Sequence, residues 1–293
     1  MNRDRRSFLK GMACAGASAA AAAVPLAARA SEKPQAPDDA LGMLYDSTKC
    51  IGCKTCVVAC HEANGLEPDT RANPLYDMPL DNNDRTKNII KLYQDENQRS
   101  YMKKQCMHCI DPGCVGACMI GSLQKREYGI VTWDPNRCIG CRYCQVACTY
   151  SIPRFEWESA APKIIKCELC THRIAEGGGP ACCEVCPRQA VIFGKHKDLL
   201  AEARRRLAEQ PERYVPKIFG EHDGGGTQVL YLSHVEFEKL GLPVLGDEGT
   251  GSLNRTVQHG VYQGFIAPAA LYAVLGGVML RNRQANKKQG GEE

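Results

Sequence analysis

Cysteine spacing constrains this chain before anything else does. Residues Cys50 to Cys60 read C-I-G-C-K-T-C-V-V-A-C, and Cys138 to Cys148 repeat the run almost letter for letter as C-I-G-C-R-Y-C-Q-V-A-C. In both copies an aspartate, Asp46 or Asp134, stands four residues before the first cysteine, so the pair is an internal repeat. A C-x2-C-x2-C turn is tight enough for three thiolates to grip one iron-sulfur cube. The fourth cysteine, one helical turn further on, points elsewhere, toward a second cluster. Structural zinc sites draw four ligands from two separated pairs, which suits these packed runs poorly.

Two looser groups complete the set. Cys106, Cys109, Cys114 and Cys118 are spaced by two, four and three residues. In Cys167, Cys170, Cys182 and Cys186 the two halves are parted by eleven residues that include Gly177-Gly178-Gly179-Pro180. Pro187 follows the last group, as proline does in ferredoxin runs, while His61, Met119 and Thr149 stand at that place in the others. Of the 18 cysteines, Cys14 lies near the amino terminus and Cys183 is a surplus thiol beside Cys182. The remaining 16 suffice for four cubes. Aromatic residues are only 6% of the chain, so part of its stability is expected to come from bound clusters.

Residues 1–30 read as an export signal. Arg5-Arg6-Ser7-Phe8-Leu9-Lys10 has the twin-arginine pattern, an alanine-rich stretch follows, and Ala28-Arg29-Ala30 offers a small-residue cleavage site. That route moves folded, cofactor-loaded proteins, so signal and cysteine pattern agree; an oxidising destination alone would favour disulfides. The formal charge of +4 largely belongs to this segment: without it, 32 basic and 32 acidic residues remain. A neutral chain offers no electrostatic footprint for nucleic acid.

Beyond a linker at 31–41, a short strand at Met43 to Tyr45 leads into the first run, whose last turn starts a helix near Val57. The stretch from His61 to Gln105, with Pro68, Pro74 and Pro79, reads as an insertion carrying a strand at Asn88 to Tyr93. Tyr101 to Lys104 feeds the second group, and Gly129 to Trp133 is a strand into the third. Ala190 to Gly194 is another strand. Asp198 to Glu209 has Leu199, Leu200, Ala203 and Leu207 on one helical face, with Arg204, Arg205 and Arg206 largely on a solvated one. Gly224-Gly225-Gly226 precedes a strand, Thr227 to Leu232, and lacks the Lys-Ser/Thr of a phosphate loop.

Thr256 to Leu280 holds no Asp, Glu, Lys or Arg over 25 residues, and Arg281, Arg283, Lys287 and Lys288 follow. This predicts a single transmembrane helix at 256–280 with a cytoplasmic tail at 281–293 and the cysteine domain outside. His259 and Gln263 near its outer end read as anchoring residues rather than quinone contacts.

The order of four groups with a split fourth resembles the four-cluster ferredoxin-like subunits of respiratory oxidoreductases over residues 42–194. That resemblance implies an α+β fold of two bacterial-ferredoxin-like 2[4Fe-4S] modules with insertions and nested pairing, group one with four and two with three. It implies four [4Fe-4S] clusters: one on Cys50, Cys53, Cys56 and Cys186; a second on Cys60, Cys167, Cys170 and Cys182; a third on Cys106, Cys109, Cys114 and Cys148; a fourth on Cys118, Cys138, Cys141 and Cys144. Cys109 fills a place where some relatives have Trp and carry a three-iron cluster.

Within that family the chain is similar to the HybA-type ferredoxin-like subunit of hydrogenase-2-type uptake [NiFe] hydrogenases. The likeness rests on Leu41-Gly42-Met43-Leu44-Tyr45-Asp46, Lys103-Lys104-Gln105-Cys106-Met107-His108-Cys109 and Gly224-Gly225-Gly226-Thr227-Gln228-Val229-Leu230, and on the signal with a carboxy-terminal apolar segment. Met119, where proline is expected, and a shorter connection before Gly224 depart from it. The resemblance implies a non-catalytic electron-transfer subunit on the periplasmic side of the inner membrane. Its partners would be the hydrogenase small and large subunits and a membrane quinone-reactive subunit. The same scaffold also serves molybdenum or tungsten enzymes such as formate dehydrogenase. No nucleophile with a paired base appears, so the expectation is conduction, not catalysis. The domains expected are the signal at 1–30, the linker, the cluster domain at 42–194, an extension at 195–255, and the helix and tail.

Overall fold

The computed structural model describes residues 34–67, 81–159, 162–249, 251 and 266–289. The expected signal peptide, Pro68, Pro74 and Pro79, and His259 and Gln263 lie outside them. Residues 33–251 form one compact unit; the described part of a second is a helix.

A three-stranded sheet organises the first unit. Its centre is β1 (Leu41–Asp46), with β8 (Val191–Lys195) antiparallel on one side and β9 (Val229–Leu232) parallel on the other. Strand periodicity divides its side chains between two cores. Met43 and Tyr45 of β1, with Val229 and Tyr231 of β9, face the main core beside Cys56, Cys106, Cys167 and Cys182. Leu44, Leu230 and Leu232 face the other way, onto Leu199 and Ala203 of α6 (His196–Glu209). Both faces are covered, so β1 is buried along nearly its whole length. Gly42 has no alternative there, because a Cβ would run into the Gln228 carbonyl oxygen of the chain entering β9.

Short antiparallel pairs carry the rest. The hairpin β2 (Asn88–Gln94) with β3 (Arg99–Gln105) leads into the second cysteine group. The pair β4 (Leu123–Lys125) with β5 (Val131–Trp133) leads into the third, and β6 (Arg154–Phe155) with β7 (Ile164–Ile165) into the fourth. Helices α1 (Thr55–Asn64), α2 (Gly113–Gly116), α3 (Tyr143–Val146), α4 (Thr171–Ala175) and α5 (Ala181–Glu184) each hold cysteines or follow one directly. The α+β organisation expected from the sequence is present: strand, cysteine turn and short helix, repeated.

Two expectations need correcting. The arginines of α6 do not form one solvated face. Arg204 pairs with Glu221 and Arg205 with Glu202 and Glu209, but Arg206 turns inward to Asp46 (3.1 Å), a fully buried carboxylate. The second correction concerns the carboxy-terminal transmembrane helix. Among the described residues no helix is long and apolar enough to cross a membrane. Helix α7 (Ile266–Gln289) is apolar only as far as Leu280, about 22 Å of rise against the roughly 30 Å of a bilayer core. Its remainder is basic and amide-rich, and residues 256–265 of the expected span lie outside the described set. The anchoring inferred from that span loses its support with it.

Candidate iron-sulfur sites

A loop that turns three thiolates toward one point must reverse direction within a few residues, which takes left-handed backbone. The two long runs do so at the same places: Gly52 (φ 70°) and Lys54 (φ 63°) in the first, Gly140 (φ 69°) and Arg142 (φ 66°) in the third. Glycine takes such angles freely; at Gly52 the space is also closed, since a Cβ would meet the Tyr101 ring. The other groups reverse at His108 (φ 46°) and at Leu169 and Cys170 (φ 54° and 52°). In the second, third and fourth groups another reversal follows three residues after the last cysteine. Gly121, Ser151 and Gln189 all have positive φ, and each donates its N–H to the carbonyl of Cys118, Cys148 or Cys186 at 3.1, 2.9 and 3.1 Å. Proline after the cysteine is thus dispensable to the turn.

These turns gather the cysteines into four neighbourhoods. Cys50, Cys53 and Cys56 line one cavity together with Cys186, and Tyr45, Ile90 and Lys103 complete its wall. Cys138, Cys141 and Cys144 line another with Cys118, closed by Leu123, Phe155 and Ile164. Cys60 lies within electrostatic reach of Cys170 and Cys182, and Cys167 within reach of Cys60 and Cys182. Cys109 is similarly coupled to Cys106, Cys114 and Cys148. Among the described residues, no three His, Cys, Asp or Glu side chains converge closely enough for a single ion. Two of the quartets, those of Cys186 and Cys118, surround spaces instead, as a cube gripped at its corners requires.

The sulfurs are also met by donors. Backbone N–H groups of Gly52, Leu169 and Ala190 donate to Cys50, Cys167 and Cys186 at 3.4, 3.4 and 3.3 Å, and Ser122 and Leu123 donate to Cys118 at 3.2 and 3.4 Å. The Thr55 hydroxyl reaches Cys53 (3.4 Å), and Asn64 Nδ2 stands between Cys60 (3.6 Å) and Cys170 (3.9 Å). Such bonds favour thiolate over thiol and tune the potential of whatever the sulfur binds.

Burial works the other way. It pushes the thiol of Cys56 up to about 11 and those of Cys60 and Cys144 to about 12, with neighbouring cysteines adding to the rise. Metal binding replaces those protons, since the metal's positive charge inverts the local preference. Cys53 is shifted down instead, first by the Thr55 hydroxyl. The surplus Cys183 holds Cys182 below the usual thiol range through a side-chain hydrogen bond, helped by Lys103, while Cys183 itself is pushed well up. The donor set, the enclosed spaces and the N–H groups aimed at sulfur all fit [4Fe-4S] clusters.

Three neighbours were not legible in the sequence. Lys103 is fully buried in β3. Thr55 and Asn64, in α1, reach cysteine sulfurs. A spacing pattern identifies ligands and carries no signal for what hydrogen-bonds to them.

Comparison with known proteins agrees with the geometry. A 4Fe-4S dicluster domain matches residues 97–196, and a 4Fe-4S binding domain matches residues 41–62. The hydrogenase-2 operon protein HybA of Escherichia coli O157:H7 is 39% identical over 99% of this chain and 99% of its own length, and that of Shigella flexneri matches equally. The formate dehydrogenase iron-sulfur subunit of Haemophilus influenzae is 35% identical over 69% of this chain and 67% of its own. The end-to-end alignment separates the first likeness from the second: the chain belongs to the 4Fe-4S protein family of HybA.

Proposed function

We propose that this chain is the electron-transfer iron-sulfur subunit of an uptake [NiFe] hydrogenase complex, without a catalytic site of its own. When bound, [4Fe-4S] clusters take up and release single electrons, so four of them in one protein form a conductor. The observation that carries the iron-sulfur part of this reading is the pair of cavities walled by three cysteines of one run and the last cysteine of another, Cys186 in one case and Cys118 in the other, and the end-to-end likeness to HybA carries the hydrogenase part.

The ligand sets follow. Cys50, Cys53, Cys56 and Cys186 hold the first cluster, and Cys60, Cys167, Cys170 and Cys182 the second. Cys106, Cys109, Cys114 and Cys148 hold the third, and Cys118, Cys138, Cys141 and Cys144 the fourth. The chain's contribution is to fix these thiolates, donate N–H groups to them and exclude water. Electrons from the hydrogenase small subunit, which is fed by the large subunit, leave to a quinone-reactive membrane partner. The twin-arginine sequence at residues 5–10 supports a periplasmic location.

Iron and acid-labile sulfide near sixteen each per chain are expected, with visible absorption that bleaches on reduction. A zinc-only preparation would overturn the reading. The likeness to formate dehydrogenase iron-sulfur subunits supports a second reading, a molybdenum or tungsten partner. Nickel in the copurified complex decides for the first, molybdenum or tungsten for the second.

A further inference from the structure

Lys103 has a setting that the ligand assignments do not account for. Its position opposite Ile90 in the β2–β3 hairpin sends consecutive side chains to opposite faces. Lys104 turns out to an ion pair with Asp81 (2.5 Å), and Lys103 turns in. It is wholly buried, and Nζ has no hydrogen-bond partner. Its backbone is held as well, the carbonyl accepting from the Tyr231 hydroxyl at 2.7 Å. The contrast is Lys166, also buried, whose ammonium donates to the carbonyls of Val131 (2.5 Å) and Cys167 (2.9 Å).

An ammonium without a partner inside a protein is costly unless an anion stands near it. The groups whose charge reaches Lys103 are cysteine sulfurs. It lines the cavity of Cys50, Cys53, Cys56 and Cys186. It also acts electrostatically on Cys182, Cys60 and Cys167 of the neighbouring quartet. In the ligand sets proposed above, on which this inference rests, Cys56 belongs to one cluster and the other three to the next. Four thiolates make each loaded site a net anion, and reduction adds a further negative charge. A fixed cation in a low-dielectric interior favours the more negative, reduced form.

We propose that Lys103 is a shared counter-ion lying between the first and second clusters, and that it raises the reduction potentials of both while leaving the third and fourth unaffected. It is a positioning residue for charge, not a ligand.

The test is an anaerobic redox titration of the full chain, followed by electron paramagnetic resonance, on wild type, Lys103→Met and Lys103→Arg, with iron and sulfide counted in each. In the Met variant the metal content is expected to stay at the wild-type level. At any set potential the reduced-to-oxidised ratio of two centres should fall about tenfold or more, about 59 mV downward for each tenfold in a one-electron couple. The other two should not move, and Arg should restore the wild-type values. Four unshifted centres, or four shifting together, would overturn the proposal. If the Met variant loses iron, retention of iron and potentials in the Arg variant supports the counter-ion, and loss in both overturns it. A wild-type chain far short of sixteen irons would sink the ligand assignments themselves, a failure visible before any variant is made.

Discussion

Gly52 and Cys60 show how much one position can carry. Gly52 combines a left-handed φ of 70° with a side-chain direction blocked by the Tyr101 ring, so Gly52→Ala strains both backbone and packing. Strain of this kind costs about 1–3 kcal/mol. Thermal melts of the loaded protein should show it, and absorbance at a fixed temperature should show faster loss of cluster colour. The same substitution at Gly121, also left-handed but with only a glutamine side-chain nitrogen near, should cost less. Cys60→Ser tests the pairing. It should disturb the centre of Cys167, Cys170 and Cys182, with which Cys60 is coupled, and spare that of Cys50, Cys53 and Cys56. Loss of only the adjacent centre's spectroscopic signal would show the pairing to be wrong. At this scale the grouping of the cysteines was legible from their spacing. Lys103 and Arg206 were not, because burial of a charged side chain depends on what arrives from distant sequence.

Among the elements, β1 and α6 are joined by a buried polar knot just ahead of the first cysteine run. Asp46 Oδ2 accepts from the Tyr214 hydroxyl (2.9 Å) and from Arg206 (3.1 Å), and Oδ1 accepts from Thr48 N (3.0 Å) and its hydroxyl (2.6 Å). Asp134 in the repeat caps Asn136 N the same way (2.9 Å), but its ion pair with Arg137 is at the surface. Removing one partner of a buried pair costs about 3–5 kcal/mol. Arg206→Met should therefore destabilise toward the lower end of that range, since Tyr214 remains, whereas Arg137→Met should be nearly silent. Denaturant unfolding of the two variants compares them directly. A second ion-pair set joins β3 to β6. Burial opposes charge on Asp81, yet Lys104 and Arg154 hold its carboxyl below the usual carboxylate range. A depressed folded value means that its stabilisation is complete above the unfolded value, near 4. It is lost as pH falls through the lower folded one. Thermal midpoints of wild type and Asp81→Asn should differ at neutral pH and converge in acid. The strands at 43–45, 88–93, 131–133, 191–194 and 229–232 were readable from apolar runs. Their pairing was not: β1 and β9 are parallel neighbours almost 190 residues apart, and no local pattern encodes such a contact.

Across the cluster-bearing unit the apolar support is uneven. The sheet β8–β1–β9 stands between two cores that include Met43, Tyr45, Phe219, Tyr231, Leu199 and Leu230. Around the third cysteine run the core is Cys114, Leu123, Val131, Cys144, Phe155 and Ile164, so two of its six members are proposed ligands. So small an apolar core offers little to offset the ordering of the loops around it. That part of the molecule should depend on its metal, as small metal-stapled domains do, because binding free energy there is folding free energy. The low aromatic content already pointed to such dependence, but which half would feel it could be learned only from packing. Removing iron with an anaerobic chelator should therefore melt the molecule in parts. Hydrogen exchange read by mass spectrometry should show β4, β5, β6 and β7 losing protection first, while β1, β8 and β9 keep theirs. Simultaneous loss across both regions would mean that the clusters stabilise one cooperative unit, with no metal-held half distinct from a sheet-held one.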